Sequence, residues 1–167
     1  MPQRIQSLDP ILGVAPHTLI LGSIPGRVSL EKVRYYGHPR NAFWPIAAHW
    51  LGFDPESDYE NRLECLTTRG FALWDVVARC TREASSDASI REAEPNAIPD
   101  LIDRHPTIAR ILLNGGTAAR AFEKLVRRPN ADLFADREIH ALPSTSPANA
   151  GWSFAKKLDA WRLLRPS

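Results

Sequence analysis

Four short aliphatic runs punctuate the chain: Thr18–Leu21, Phe71–Val77, Ile108–Leu113 and Ile139–Leu142. Each is too short for an ordinary helix and is mostly apolar, so they read as strands, Thr18–Leu21 as a buried one. The stretches between them carry helical spacing. One helix is expected to begin near Phe43–Pro45, where proline is tolerated in a first turn, and to end near Leu51. Asp58–Leu66 places Leu63 and Leu66 on one face, and Gly70 stops the chain before the second strand. Pro95 and Pro99 bracket a short helix over Ala97–Arg104. Thr117 reads as the N-cap of Ala118–Val126, with Ala121, Phe122 and Leu125 turned to the core. Phe154, Leu158, Trp161 and Leu164 give Ser153–Leu164 an apolar stripe. Residues 1–17, with Pro2, Pro10 and Pro16, read as an irregular lead-in holding one helical turn at Ile11-Leu12, and Thr81–Asn96 reads as polar and irregular. Strands alternating with helices predict a parallel sheet covered on both faces, a three-layer α/β/α sandwich spanning residues 1–167 as one domain.

One connection is unusual. From Gly22 to Trp44 the chain reads GSIPGRVSLEKVRYYGHPRNAFW, some twenty residues between a strand and a helix. Loops of that length at the carboxyl end of a core strand generally serve function. Tyr35, Tyr36, Phe43 and Trp44 offer flat apolar faces, and Arg27, Lys32, Arg34 and Arg40 offer positive charge. Interleaved aromatics and cations suit a nucleic acid, whose phosphates need charge and whose exposed bases need stacking partners.

Charge adds to this picture through its distribution. The net charge is +2, but residues 1–50 carry +3, residues 51–104 carry −6 and residues 105–167 carry +5. A basic face and an acidic face would result, unless the charges are simply scattered over a solvated surface. An apolar content of 44% and a charged content of 24% are ordinary for a globular protein. No apolar run reaches membrane-spanning length and no signal-peptide pattern opens the chain, so a cytoplasmic protein is expected. Cys65 and Cys80 have no metal-binding spacing, and two cysteines cannot hold an iron–sulfur cluster. No cofactor and no metal are therefore expected. Neither a GxxxxGK[ST] loop nor a GxSxG elbow is present, which weighs against an ATPase and a serine hydrolase.

The segments GSIPG, YYGHPRNAFW and LPSTSPANAGW (Leu142 to Trp152) resemble the uracil-DNA glycosylase superfamily, and within it the hypoxanthine-DNA (deoxyinosine) glycosylase branch, near the mismatch-specific uracil glycosylases. The resemblance runs from about Thr18 to Trp161 and is most specific at its two ends. It implies a central four-stranded sheet and an enzyme that removes deaminated bases from DNA, hypoxanthine first and uracil or xanthine after it. There is one departure: many members carry Asp or Asn, which positions the attacking water, where this chain has Ile24. In the branch resembled here that role moves to Asn41.

A glycosylase flips its target nucleotide into a pocket, where the sugar gains oxocarbenium character and negative charge flows into the departing base. Asn41 is the candidate that orients water. Its amide oxygen can accept from water and it does not titrate, although the same residue could simply cap the next helix. Gly22, Ser23, Ile24 and Pro25 are expected to run backbone close to the flipped nucleotide, unless they form an ordinary turn. Phe43 is the candidate stacking platform, with Trp44 in the core and Tyr36 at the pocket entrance. Asn114 ends a strand at the binding edge, where it either contacts the base or shapes the turn before Gly115. His38 and His140 are weaker candidates for acid–base work. Ser144, Thr145, Ser146, Pro147 and Ala148 are expected to hold phosphates, and the resemblance assigns their loop to the minor groove. The expected partner is damaged DNA, double- or single-stranded, and the expected state is a monomer. The alternative from another class is a non-catalytic nucleotide or nucleic-acid binding module on the same fold.

Overall fold

A computed structural model of the chain describes residues 2–83 and 86–166. The four aliphatic runs form one parallel sheet from strands β2 (Thr18–Gly22), β3 (Phe71–Asp75), β6 (Arg110–Asn114) and β7 (Glu138–Leu142), in the order β3-β2-β6-β7. β2 lies at its centre, and Leu19, Ile20 and Leu21 are wholly buried, as a strand covered on both faces requires. Alternate residues enter different cores. Ile20, Leu73 and Leu112 pack with helices α2 (Phe43–Leu51) and α3 (Tyr59–Thr68) and with Trp161 and Leu164. Leu19, Leu21, Ile111 and Leu113 pack on the other side with helices α4 (Ile98–Arg104) and α5 (Gly116–Phe122). The three-layer arrangement is the expected one.

A second sheet is not. Strands β1 (Gln3–Gln6), β4 (Val77–Arg82) and β5 (Arg91–Pro95) pair antiparallel in the order β1-β4-β5, where the sequence suggested irregular chain. The reason is that this sheet is mostly solvated: in β1 only Ile5 is buried, and no residue of β5 is. Polar edge strands carry little hydrophobic signal. Residues 84 and 85 of that segment lie outside the described residues. The expected second strand, Phe71–Val77, in fact serves both sheets. Its parallel pairing ends at Asp75, Val76 donates to the Gly22 carbonyl, and β4 begins at Val77.

Three further expectations are corrected. Ile11 forms an isolated bridge with Leu73 and is not in a helical turn. Thr117 lies inside α5, whose N-cap is Gly115 at φ 103°, a conformation open to glycine and strained for other residues. In the last helix, α7 (Phe154–Ala160), Ser153 is the cap, with its Oγ accepting from the Lys156 N–H. Phe154, expected in its apolar stripe, is 49% exposed. The long loop also holds a short helix, α1 (Arg27–Lys32).

Candidate active site

The register brings four strand ends to one edge of the sheet. Gly22 pairs with Asp75, and Asn114 pairs with Leu142. In an open α/β sheet that carboxyl edge is where ligands bind. There the segment 22–41 and the loop 143–152 enclose a cleft of about 1020 Å³, room enough for a nucleotide. Gly22, Ser23, Ile24, Pro25, Tyr36, Asn41, Asn114 and Ser144 to Ala148 all line it.

The two motif segments are tied together through Thr145. Its backbone N–H donates to Asn114 Oδ1 (2.9 Å), and Asn114 Nδ2 donates to its Oγ1 (2.9 Å). Its carbonyl accepts the Ala42 N–H at 2.9 Å, which connects the loop to the start of α2. Thr145 is 1% exposed. Its hydroxyl therefore fixes the loop and is not free for a phosphate, a correction to the expectation. Asn114 is likewise occupied as a clamp between β6 and the loop. Ser144 and Ser146 remain part-exposed, and each hydroxyl accepts a backbone N–H two residues on, from Ser146 and Ala148. These local bonds curl the loop and leave Ala148 exposed on it. Gly115 is needed beneath it, because a β-carbon there would lie 2.9 Å from Ser144 Cβ.

Asn41 stands just before α2. Its Oδ1 accepts the Phe43 N–H at 2.9 Å, so the residue, one position before the N-cap Ala42, holds the first N–H of the helix and faces the cleft at once. The bond fixes the rotamer, and the amide oxygen keeps a second lone pair that a water can use. His38 lines the same cleft, with its Nδ1 accepting the Arg40 N–H. His140 does not line it; its Nε2 faces Glu138 Oε2 on β7 at 3.3 Å.

Phe43, the expected stacking platform, is wholly buried and does not reach the cleft. The ring above it is Tyr36, tilted by 31° with centroids 4.1 Å apart. Tyr36 has φ 55°, an uncommon backbone for a bulky residue, and its packing on Phe43 holds it there. Trp44 is in the core, as expected, with its indole N–H on the Tyr35 carbonyl.

Sequence reasoning missed the acidic floor of the cleft. Asp75 is 4% exposed, and its Oδ2 has no hydrogen-bond partner. The Tyr36 hydroxyl is also buried, beside the Asn114 side chain. The two groups meet above Gly22: a β-carbon on that glycine would lie 2.5 Å from Asp75 Oδ1 and 3.6 Å from the Tyr36 hydroxyl. Gly22 thus makes room for the carboxyl. Burial first, and the neighbouring Asp87 after it, raise the Asp75 pKa to about 7 against the opposing charge of Arg82. Asp87 is itself raised by burial, against a hydrogen bond from Ser23 Oγ and the charge of Arg82. Burial and Asp75 together push the Tyr36 phenol upward, with Asn114 opposing them. The only signal in the sequence was a carboxylate at the end of an apolar run, on the strand that pairs with β2.

A three-layer α/β domain with its cleft at the strand carboxyl ends, walled by two loop segments and holding an oriented amide, defines a class able to enclose one nucleotide. A family model described as the uracil DNA glycosylase superfamily matches residues 12–165. The chain belongs to that superfamily. It is 35% identical to the hypoxanthine DNA glycosylase of Methanosarcina barkeri (strain Fusaro / DSM 804), covering 91% of this chain and 98% of that one. It is 36% identical to the protein of the same name from Methanosarcina acetivorans, covering 81% and 82%. A G/U mismatch-specific uracil DNA glycosylase of Schizosaccharomyces pombe is 23% identical, over 98% of this chain and 54% of that protein. A solution NMR structure from Methanosarcina acetivorans, of a candidate uracil DNA glycosylase, superposes with a TM-score of 0.79 at 31% identity, covering 97% and 99%.

Proposed function

We propose that this chain is a monofunctional DNA glycosylase that flips a deaminated base out of DNA and hydrolyses its glycosidic bond, with hypoxanthine preferred and uracil or xanthine accepted. The observation that carries this reading is the placement of Asn41. Its amide is pinned by the Phe43 N–H, at the wall of a nucleotide-sized cleft on the binding edge of the sheet. The relatives named hypoxanthine DNA glycosylase support the choice of base.

In this mechanism the second lone pair of Asn41 Oδ1 accepts a hydrogen bond from water and aims it at C1′. The C1′–N bond breaks with its electron pair going to the base, the water oxygen adds to C1′, and one proton ends on the base. Tyr36 offers its ring to the flipped base, and the backbone of Gly22 to Pro25 passes beside the nucleotide. Ser144, Ser146 and the exposed Ala148 sit where a strapped loop meets the duplex, fixing position without reading sequence. Water is the nucleophile. Lys157 is 6% exposed with its Nζ on the Ser146 carbonyl, and it does not line the cleft. The protein acts as one domain and a monomer on damaged DNA in the cytoplasm, without metal or cofactor; no helix among the described residues is long and apolar enough to cross a membrane.

The test is incubation with duplexes carrying one hypoxanthine, uracil or xanthine, followed by alkali. Strand cleavage at the modified site, fastest for hypoxanthine, is expected. Binding of these duplexes without an alkali-labile site would instead favour a non-catalytic binding module.

A further inference from the structure

Arg82 stands where an apolar side chain is expected. In β4 it follows Cys80 by two positions on the inward face, and both are buried, Arg82 to 1% exposure. Taking a guanidinium out of water is a costly way to fill space, so the charge needs partners there. Its Nη2 donates to the Pro25 carbonyl at 2.8 Å, and its charge acts on the Asp75 and Asp87 carboxyls. Pro25 belongs to the segment that walls the cleft, and Arg82 lines the cleft beside it. The strand that carries Arg82 is held on both edges: β1 pairs Gln3 with Arg82, and β5 pairs Arg91 with Thr81.

We propose that Arg82 is a positioning residue for excision: it fixes the Pro25–Gly26 peptide at the cleft wall, and with it the surface against which the flipped nucleotide rests. This rests on the glycosylase reading above and adds how the wall is held, a task for the antiparallel sheet. The segment is gripped at successive points by one stretch of chain, residues 76–87. The Val76 N–H donates to the Gly22 carbonyl at 2.8 Å, and the Val77 N–H donates to the Ser23 carbonyl at 3.0 Å. Asp87, in the turn after β4, accepts Ser23 Oγ at 3.3 Å. Arg82, at the end of β4, reaches the Pro25 carbonyl.

The last of these grips is the one that local chemistry does not supply. The proline ring fixes φ at Pro25, but the Pro25–Gly26 peptide turns about ψ of Pro25 and φ of Gly26. Glycine puts little steric limit on the second angle. The bond from Arg82 removes that freedom. A trans peptide is planar, with its C=O and N–H on opposite sides, so holding the Pro25 carbonyl also turns the Gly26 N–H away from the guanidinium. The Gly26 carbonyl in turn accepts the Leu30 N–H at 3.1 Å, at the start of α1. Rotation of this one peptide would therefore move both the wall and the helix that leaves it. Displacements of about 1 Å remote from the reacting atoms can cost on the order of 10²-fold in rate, because the reacting groups no longer meet in line.

The experiment is single-turnover excision from a hypoxanthine duplex by the wild type, Arg82→Lys, Arg82→Gln and Arg82→Met, with rate constant and amplitude recorded separately, beside duplex binding. The amplitude reports the fraction of protein that is folded, and the rate constant reports the geometry of that fraction. Arg82→Met removes the donor, and its rate constant should fall on the order of 10–10²-fold while amplitude and duplex binding stay close to the wild type. Arg82→Lys keeps a charged donor and should recover to within roughly fivefold of the wild-type rate constant. Should Arg82→Met fail to fold, Arg82→Gln, whose amide is too short to reach Pro25, takes its place with the same expected loss. A residue that only supported the fold would lower the amplitude and leave the rate constant within roughly threefold of the wild type; that result would overturn the proposal alone. No wild-type excision would overturn the glycosylase reading and this proposal with it.

Discussion

Asp75→Asn is expected to stabilise the protein more at pH 8 than at pH 5. The carboxyl titrates near 3.8 when the chain is unfolded and at about 7 when folded. Between those values the native state holds a proton that the unfolded state has released, so this group's contribution to stability falls as pH rises and levels off above 7. At about 1.36 kcal/mol per pH unit, the burden is roughly 2 kcal/mol at pH 5 and roughly 4 kcal/mol at pH 8. Asparagine in the same place carries a cost of its own, because its amide also lacks a partner, but that cost does not vary with pH. The measurable quantity is therefore the difference between the two pH values, roughly 2–3 kcal/mol. For a chain of this size that is about 5–10 °C more gain in Tm at pH 8 than at pH 5. Thermal unfolding followed by circular dichroism, wild type beside variant in matched buffers, reads it directly. An equal gain at both pH values would refute the reasoning, since Asp75 would then titrate like a solvated carboxylate.

The remaining predictions concern the loops and the nucleophile. Gly115→Ala forces a side chain into positive φ against Ser144 Cβ, and should lower stability by about 1–3 kcal/mol in urea unfolding. Replacing Ser144 and Ser146 by Ala removes two hydroxyls that curl the loop, and should weaken duplex binding and slow excision, less so when the target base is mispaired or single-stranded; equal losses on all three substrates would make the loop a support of the fold only. Borohydride should trap no covalent protein–DNA adduct, because water attacks C1′ and Lys157 lies outside the cleft.

The parallel sheet was legible because each of its strands carries a short, mostly apolar run, and β2 in particular is buried on both faces. The antiparallel sheet was not, since Arg91–Pro95 is solvated throughout and contributes no buried residue to reveal a period of two. The two segments that wall the cleft could be read from GSIPG, HPRN and LPSTSPANA, whose residues do meet. What each residue does there was less legible. Phe43 and Tyr36 are both plausible stacking residues in the sequence; only the left-handed backbone at Tyr36 decides which ring covers the other. Thr145 looks like its neighbours Ser144 and Ser146, yet Asn114 draws it inward. Asp75 was hidden by its surroundings. In FALWDVV it reads as one polar residue in a strand, and its role depends on Gly22 across the register and on Asp87 in a turn after the strand.

The central claim, that an amide pinned at the start of α2 places the water, is tested most directly by single-turnover excision with Asn41→Ala on a hypoxanthine duplex, measured beside duplex binding. The amide does not ionise, so the wild-type rate should show no carboxylate limb near pH 4–5, and the variant should bind the duplex as the wild type does. Its excision rate should drop by on the order of 10²-fold or more. A variant that excises hypoxanthine at close to the wild-type rate would contradict the account and move the placing of water to another residue of the cleft.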